Sequence, residues 1–283
     1  MTTSHAAPGA SQPSAISPQS YSFLQAYVHR ESGIVLDGDK QYLFEARLLP
    51  IVQRENLASI DALCDRVASG RAPALAAQVT EAMTTNETLF FRDTSVFDAL
   101  RTEVFPAQLA ALRPGYKLRI WSAAASTGQE AYSIAIMLLE SGVRPNQVEI
   151  IGTDLSEQVL ERARIGRYLQ FEVGRGLPTS ILMKYFTKTG LDWRIKDEVR
   201  AMVRFERLDL RSSLTLVGRC DLVLCRNVLI YFDSATRNQI LGSIANVLVA
   251  GGILGLGASE TILNSDHGFE RRTFGQSTFY TVR

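Results

Sequence analysis

Cysteine and histidine are scarce in this chain of 283 residues, with three of each. Cys64, Cys220 and Cys225 form no CxxC pair, and His5, His29 and His267 lie scattered among them, so no zinc-ligand spacing is present and no metal site is expected. An odd, unpaired set of thiols reads as reduced cysteine in a cytoplasmic protein rather than as a disulfide framework. Excess charge of one sign is also missing. Lys and Arg number 30 against 29 Asp and Glu, so bulk electrostatics gives no reason to expect nucleic acid or an anionic membrane as partner. No apolar run reaches the about 18 residues that cross a bilayer, so direct membrane insertion is not expected. The opening MTTSHAAPGA lacks the basic start and apolar core of a secretory leader.

What is present is ordinary globular composition, 46% hydrophobic and 21% charged, on a length that suits about two domains. Residues 1–20 are Ser, Ala, Pro, Gly and Gln with almost no large apolar side chains. Such a stretch buries too little surface to offset its ordering entropy, and a flexible tail is expected there. Over 21–85 the apolar residues recur at three- and four-residue spacing: Phe23, Leu24, Tyr27 and Val28, then Leu43, Ala46, Leu48 and Leu49, then Ile60, Leu63, Cys64 and Val67. Gly33, Gly38 and Gly70 punctuate these runs, which predicts a small helical domain. Residues 86–114 read as a linker. Over 115–283 apolar strands alternate with helical runs: KLRIWSAA, then Glu130 to Glu140, VEIIGTD, SEQVLERARI, CDLVLCRN, SATRNQILGSIANVLV and GGILGLGA, with FERRTFGQSTFYTV as a closing hairpin. That alternation predicts an α/β domain with a doubly wound, mostly parallel sheet. The interruption at about 167–206 predicts a small antiparallel β insertion.

Ligands of such sheets bind outside the carboxyl ends of the strands. The first turn, SAAASTGQE, has small residues but lacks the GxGxxG fingerprint that cradles a pyrophosphate, which disfavours a nicotinamide dehydrogenase. It suits a phosphate-free adenosyl ligand with a zwitterionic end. Glu130 then either pairs with an ammonium group or merely favours the helix dipole. Asp154 ends the second strand, where it either accepts ribose hydroxyls or caps the following helix. Thr84 to Asp93, TTNETLFFRD, packs polar donors beside two phenylalanines and an arginine; Arg92 offers a planar fork to a carboxylate, or a surface ion pair. Cys225, Arg226 and Asn227 follow the third strand and lead to Tyr231, which contacts substrate or fills core. Asp209 and Leu210 end a further strand, where the Asp either receives an adenine amino group or caps a loop.

In this order, TTNETLFFRD, SAAASTGQEAYSIAIML, GTDLSEQVLERARIGRY and CDLVLCRNVLIYFD resemble the CheR-type chemotaxis receptor glutamate methyltransferases of bacteria, from about Tyr21 to the C-terminus. The resemblance implies an N-terminal all-α domain, a class I S-adenosylmethionine-dependent domain with a Rossmann-like doubly wound sheet, and a small antiparallel β-subdomain inserted in it. It implies cofactor contacts at Asn86, Thr88, Arg92, Glu130, Asp154, Asp209, Leu210, Cys225, Arg226 and Asn227, with Arg92 and Tyr231 near the transferred methyl. Asp209 stands where the family usually has Asn, and Ala131 where Pro is common. The implied activity is transfer of a methyl group from S-adenosylmethionine to receptor glutamates, with S-adenosylhomocysteine as product. Implied partners are the cytoplasmic methylation helices of chemoreceptors, which Arg47 and Arg54 on one helix face would engage unless they are plain solvated arginines. The short TKTGLDWRI segment argues against capture of a receptor's C-terminal pentapeptide, so a tether-independent enzyme is expected. The other readings are a methyltransferase for a different protein or small molecule, and a regulatory module that binds S-adenosylmethionine without turnover.

Overall fold

The structure is a computed structural model that describes residues 16–36, 38, 40–262 and 267–282. It divides at Thr84/Thr85 into two compact units. Among the described residues, the first is built from four helices: α1 (Pro18–Ser32), α2 (Gln41–Arg54), α3 (Ile60–Ala68) and α4 (Pro73–Met83). Each buries one stripe at helical spacing: Leu24, Tyr27 and Val28; Phe44, Leu48, Ile51 and Val52; Leu63, Cys64 and Val67; Leu75, Val79 and Met83. Most of the expected tail, residues 1–15, lies outside the described residues. Its last part is not tail. Ile16 is buried, Ser17 caps α1 by accepting the Ser20 N–H, and Pro18 takes the first helical turn, where no N–H is needed. The Asp61 carboxylate accepts from both the amide and the hydroxyl of Ser17, which ties this start to α3.

Arg47 is half-buried rather than plainly solvated. Its guanidinium donates to the carbonyls of Met83 (2.8 Å) and Thr84 (2.9 Å), satisfying the end of α4. Arg54 donates to the Gln78 side chain and stays exposed.

The second unit opens with α5 (Thr94–Ala99), which runs through a π turn (Leu100–Val104) into α6 (Phe105–Ala110). These residues, expected as a linker, bury Val96, Phe97, Leu100, Val104 and Phe105 in the same core as the sheet. Then follow β1 (Leu118–Ala123), α7 (Gln129–Glu140), β2 (Val148–Asp154) and α8 (Glu157–Ile165). Next come β3 (Arg167–Leu169), α9 (Gln170–Val173), α10 (Thr179–Tyr185), β4 (Phe186–Thr189), β5 (Asp192–Ile195) and α11 (Asp197–Arg200). The chain finishes with β6 (Val203–Arg207), β7 (Cys220–Cys225), α12 (Ser234–Val247), β8 (Leu248–Leu256), β9 (Phe269–Phe274) and β10 (Ser277–Val282).

Seven strands form one sheet in the order β6-β2-β1-β7-β8-β10-β9. The first five run parallel, and β10 is antiparallel to both β8 and β9. Successive strand residues fall alternately on two cores. Ile120, Ile150 and Leu222 face one, while Trp121, Ile151 and Val223 face the other, which is why these strands read as continuous apolar runs. The order reverses between β1 and β7, so the carboxyl ends of those strands open a crevice.

The insertion is a separate three-stranded antiparallel sheet, β3-β5-β4. It is shorter than the expected 167–206. Val203–Arg207 is the edge strand of the main sheet, paired parallel with β2, because Phe205 packs into the space left by Gly152 and stacks edge-on with Tyr132 at 5.4 Å. No helix among the described residues is long and apolar enough to cross a membrane.

Candidate active site

The crevice holds a cavity lined by Thr85, Glu87, Thr88, Leu89, Arg92, Ala124, Ser126, Glu130, Asp154, Arg226, Asn227 and Val228. Three segments build it: the irregular stretch before α5, the ends of β1 and β2, and the end of β7. The first is anchored by its phenylalanines. Phe90 is fully buried and packs edge-on against Tyr168 (5.0 Å) and Phe186 (5.4 Å), so the small inserted sheet holds it from behind. Phe91 packs on Phe97, and its N–H donates to Ser133 Oγ on α7. The two rings therefore fix the backbone, which leaves Thr88 and Arg92 at the cavity.

The β1 turn and β2 end are locked together by Asp154. Its carboxylate accepts the Ser126 N–H at 2.9 Å and the Ser156 N–H at 3.0 Å, while Ser126 Oγ donates to the Asn86 carbonyl. Asp154 is thus both a loop latch and a wall of the cavity. Small residues in the turn serve packing as much as ligand access. A Cβ on Gly128 would lie 3.0 Å from both Ala163 and Phe205, and Gly128 also needs its φ of 92° to start α7.

Arg226 is the electrostatic centre. Its side chain is 2% exposed, and it donates to Glu130 (2.8 Å), to Asp93 (2.7 Å) and to the Arg92 carbonyl (2.7 Å). The other Glu130 oxygen accepts from Ser122 Oγ at 2.7 Å. A buried guanidinium costs several kcal/mol in lost hydration unless it is paired in this way, and each carboxylate oxygen keeps a further lone pair for a ligand. Arg92 lines the cavity and donates to the Glu87 carbonyl at 3.2 Å.

Among the described residues, five of the six non-glycine positions with positive φ belong to the cavity or to the segment that carries Arg92: Ala124 (56°), Ser126 (51°) and Asn227 (58°) line it, and Phe91 (50°) and Asp93 (62°) flank Arg92. Left-handed backbone costs a side-chain-bearing residue roughly 1 kcal/mol or more, and such positions concentrate at functional sites.

The expected site residues fall into three groups. Thr88, Arg92, Glu130, Asp154, Arg226 and Asn227 all line the cavity. Asn86 joins them through its carbonyl and lines a neighbouring groove with Thr88. Leu210 and Cys225 are buried near the strand ends without lining it, and burial pushes the Cys225 thiol well above its ordinary range, so it stays protonated. Asp209 does not line the cavity, and both its oxygens accept from the Arg211 guanidinium two residues on. Tyr231 closes a short 3₁₀ turn (Leu229–Tyr231), half-buried and outside the lining. Sequence reasoning missed Asp93, Ser122 and Glu260. Asp93 stood inside a motif already singled out, but nothing local tells that its partner is Arg226, 133 positions away.

Residues 86–277 match the family described as CheR methyltransferase, SAM binding domain, and residues 19–84 match CheR methyltransferase, all-alpha domain. A chemotaxis protein methyltransferase of Vibrio parahaemolyticus is 41% identical over 275 residues, covering 95% of this chain and 98% of its own. Chemotaxis protein methyltransferase 1 of Pseudomonas aeruginosa is 40% identical over 254 residues, covering 87% and 92%. A chemotaxis protein methyltransferase of Listeria innocua is 33% identical over 249 residues, covering 88% and 92%.

Proposed function

The chain belongs to the CheR methyltransferase family and is an S-adenosylmethionine-dependent enzyme of the class I fold, and from that premise we propose that it esterifies glutamate side chains on the methylation helices of bacterial chemoreceptors. The observation that carries this reading is the pairing, in one cavity, of acidic walls (Glu130 and Asp154) with the Arg92 guanidinium. The acidic walls suit a cationic, phosphate-free ligand, whereas a pyrophosphate would meet like charge. Arg92 suits a carboxylate substrate.

S-adenosylmethionine supplies a methyl carbon on a sulfonium and leaves as the neutral thioether S-adenosylhomocysteine. Every other contribution comes from the chain. Asp154 receives ribose hydroxyls, Glu130 an ammonium group, and the backbone at Asn86, Leu210, Cys225, Arg226 and Asn227 frames the rest. On the adenine side stand Asp209, whose carboxylate the Arg211 guanidinium holds in place, and the backbone beside it. Arg92 orients the incoming glutamate, and Tyr231, which ends the turn that follows the cavity-lining Asn227 and Val228, helps position the reacting pair. A glutamate of ordinary pKa, about 4.3, is already ionised at neutral pH, so the nucleophile needs no general base. Attack joins a negative oxygen to a positively charged donor, and charge disappears as the bond forms. Alignment and exclusion of water therefore matter more than added charge.

The β4–β5 connection is a tight turn, Gly190-Leu191, between the paired residues Thr189 and Asp192. This shortness supports a tether-independent enzyme; titration with a receptor C-terminal pentapeptide would give no heat, and micromolar binding would refute it. The decisive test of the whole reading is labelled methyl transfer to purified receptor fragments, followed by base treatment. Methanol release is expected. Label that resists base, or no transfer beside measurable S-adenosylhomocysteine binding, would sink the ester reading.

A further inference from the structure

The loop that follows β7 is held by a residue that is itself neither a cavity-lining side chain nor a member of any of the sequence motifs. Glu260 lies beyond the end of β8, and its two carboxylate oxygens accept four backbone N–H groups. Oε2 binds those of Asn227 (2.7 Å) and Gly257 (2.7 Å), and Oε1 those of Val228 (2.9 Å) and Leu229 (2.8 Å). Three successive amides opening from a left-handed residue make an anion-binding concavity, and here the chain supplies the anion itself. A second observation points the same way. A Cβ on Gly257 would lie 2.7 Å from Asn227 Nδ2 and from Glu260 Oε2, and 2.9 Å from Asn227 N, so a glycine is what lets the ends of β7 and β8 close on each other.

The consequence reaches the reacting site. Asn227 and Val228 line the cavity, Arg226 immediately before them holds Glu130 and Asp93, and Tyr231 ends the same turn. Asn227 keeps its costly backbone only while something overdetermines it. We propose that Glu260 is a positioning residue for methyl transfer, a carboxylate clamp that sets the Asn227–Tyr231 loop against the cofactor cavity. The proposal rests on the reading above for its substrate, but not for its cofactor. It goes beyond that reading by naming the residue that shapes the site without contacting ligand.

Because all four partners are donors, Glu260→Gln is a sharp probe. It preserves shape, yet turns an NH2 group toward two N–H groups that then lose their acceptor. The comparison variant is Asp221→Asn, which removes a carboxylate bonded to the Arg119 N–H near the opposite end of β7. Calorimetry with S-adenosylhomocysteine, turnover on receptor fragments and thermal midpoints are measured for both full-length variants. Glu260→Gln should weaken S-adenosylhomocysteine at least fivefold and cut turnover at least tenfold. Asp221→Asn should leave affinity and turnover within twofold while lowering the midpoint. Formate added to Glu260→Gly should restore turnover at least threefold. A smaller affinity loss in Glu260→Gln, an equal loss in Asp221→Asn, or no rescue by formate would overturn the clamp. Should Glu260→Gln not fold, Glu260→Asp is read instead, and wild-type affinity and turnover would count against the proposal. If the native enzyme binds S-adenosylhomocysteine but methylates no receptor, the substrate reading falls, and the affinity comparison still judges Glu260.

Discussion

The helical unit and the sheet unit differ in how they treat their backbone. Among the described non-glycine residues, the helical unit has one left-handed position, Asn56, in the turn after α2. The sheet unit has five, and every one borders the cavity or its supporting segment. In the helical unit, local rules agree with the outcome: apolar stripes, Ser17 and Ser59 as caps, Gly33 as the left-handed stop of α1. In the sheet unit the loops break those rules, and buried polar contacts keep them broken. Asp154 holds Ser126, Arg226 holds Asp93, and Glu260 holds Asn227. Conformational strain is thus spent where ligands must be met, and the lesson is that the site's geometry depends on a few charged clamps rather than on the loops themselves.

The harshest way to break that comparison is Arg226→Met. It strands Glu130 and Asp93 without their shared partner, so unfolding in urea should show a loss of about 3 kcal/mol, with methyl transfer undetectable. A change below about 1 kcal/mol would deny the clamp. Next is Asp154→Ala, which removes both the latch on Ser126 and the expected ribose acceptor. S-adenosylhomocysteine affinity by calorimetry should fall roughly thirtyfold, equivalent to about 2 kcal/mol. Arg92→Ala leaves the clamps intact and should cost turnover about tenfold, or about 1.4 kcal/mol of barrier, with cofactor affinity changed less; equal turnover would remove Arg92 from the mechanism. The smallest effect sharpens the contrast from the other side. Asn56→Gly should raise stability by up to about 1 kcal/mol and leave turnover untouched, because no function requires that strain. Lost activity in Asn56→Gly would show that the left-handed position of the helical unit is functional too.

Much of this was legible beforehand. The strand–helix alternation after Gly115 foretells the parallel sheet, and TTNETLFFRD, SAAASTGQE and CRNVLIYFD foretell three of the segments that meet at the cavity. Val203–Arg207 was misplaced because a short strand of mixed polarity carries no mark of which sheet it joins; Gly152, some 50 positions earlier, decides that by leaving room for Phe205. Asp209 read either as an adenine contact or as a loop cap, and the Arg211 guanidinium that binds both its oxygens carried no local mark as its partner. Arg47 looked like an open arginine because the carbonyls it caps belong to a helix 36 residues away.

Periodicity, turn residues and ordered motifs determined most of the elements, the family and which segments meet at the cavity, because these depend on neighbours within a few positions along the chain. Which charges neutralise which, where the loops are strained and what restrains them were decided only when distant strand ends came side by side. A carboxylate such as Glu260 has no local pattern to announce it. Its role arises from four amides that the fold, and nothing nearer, points at one place.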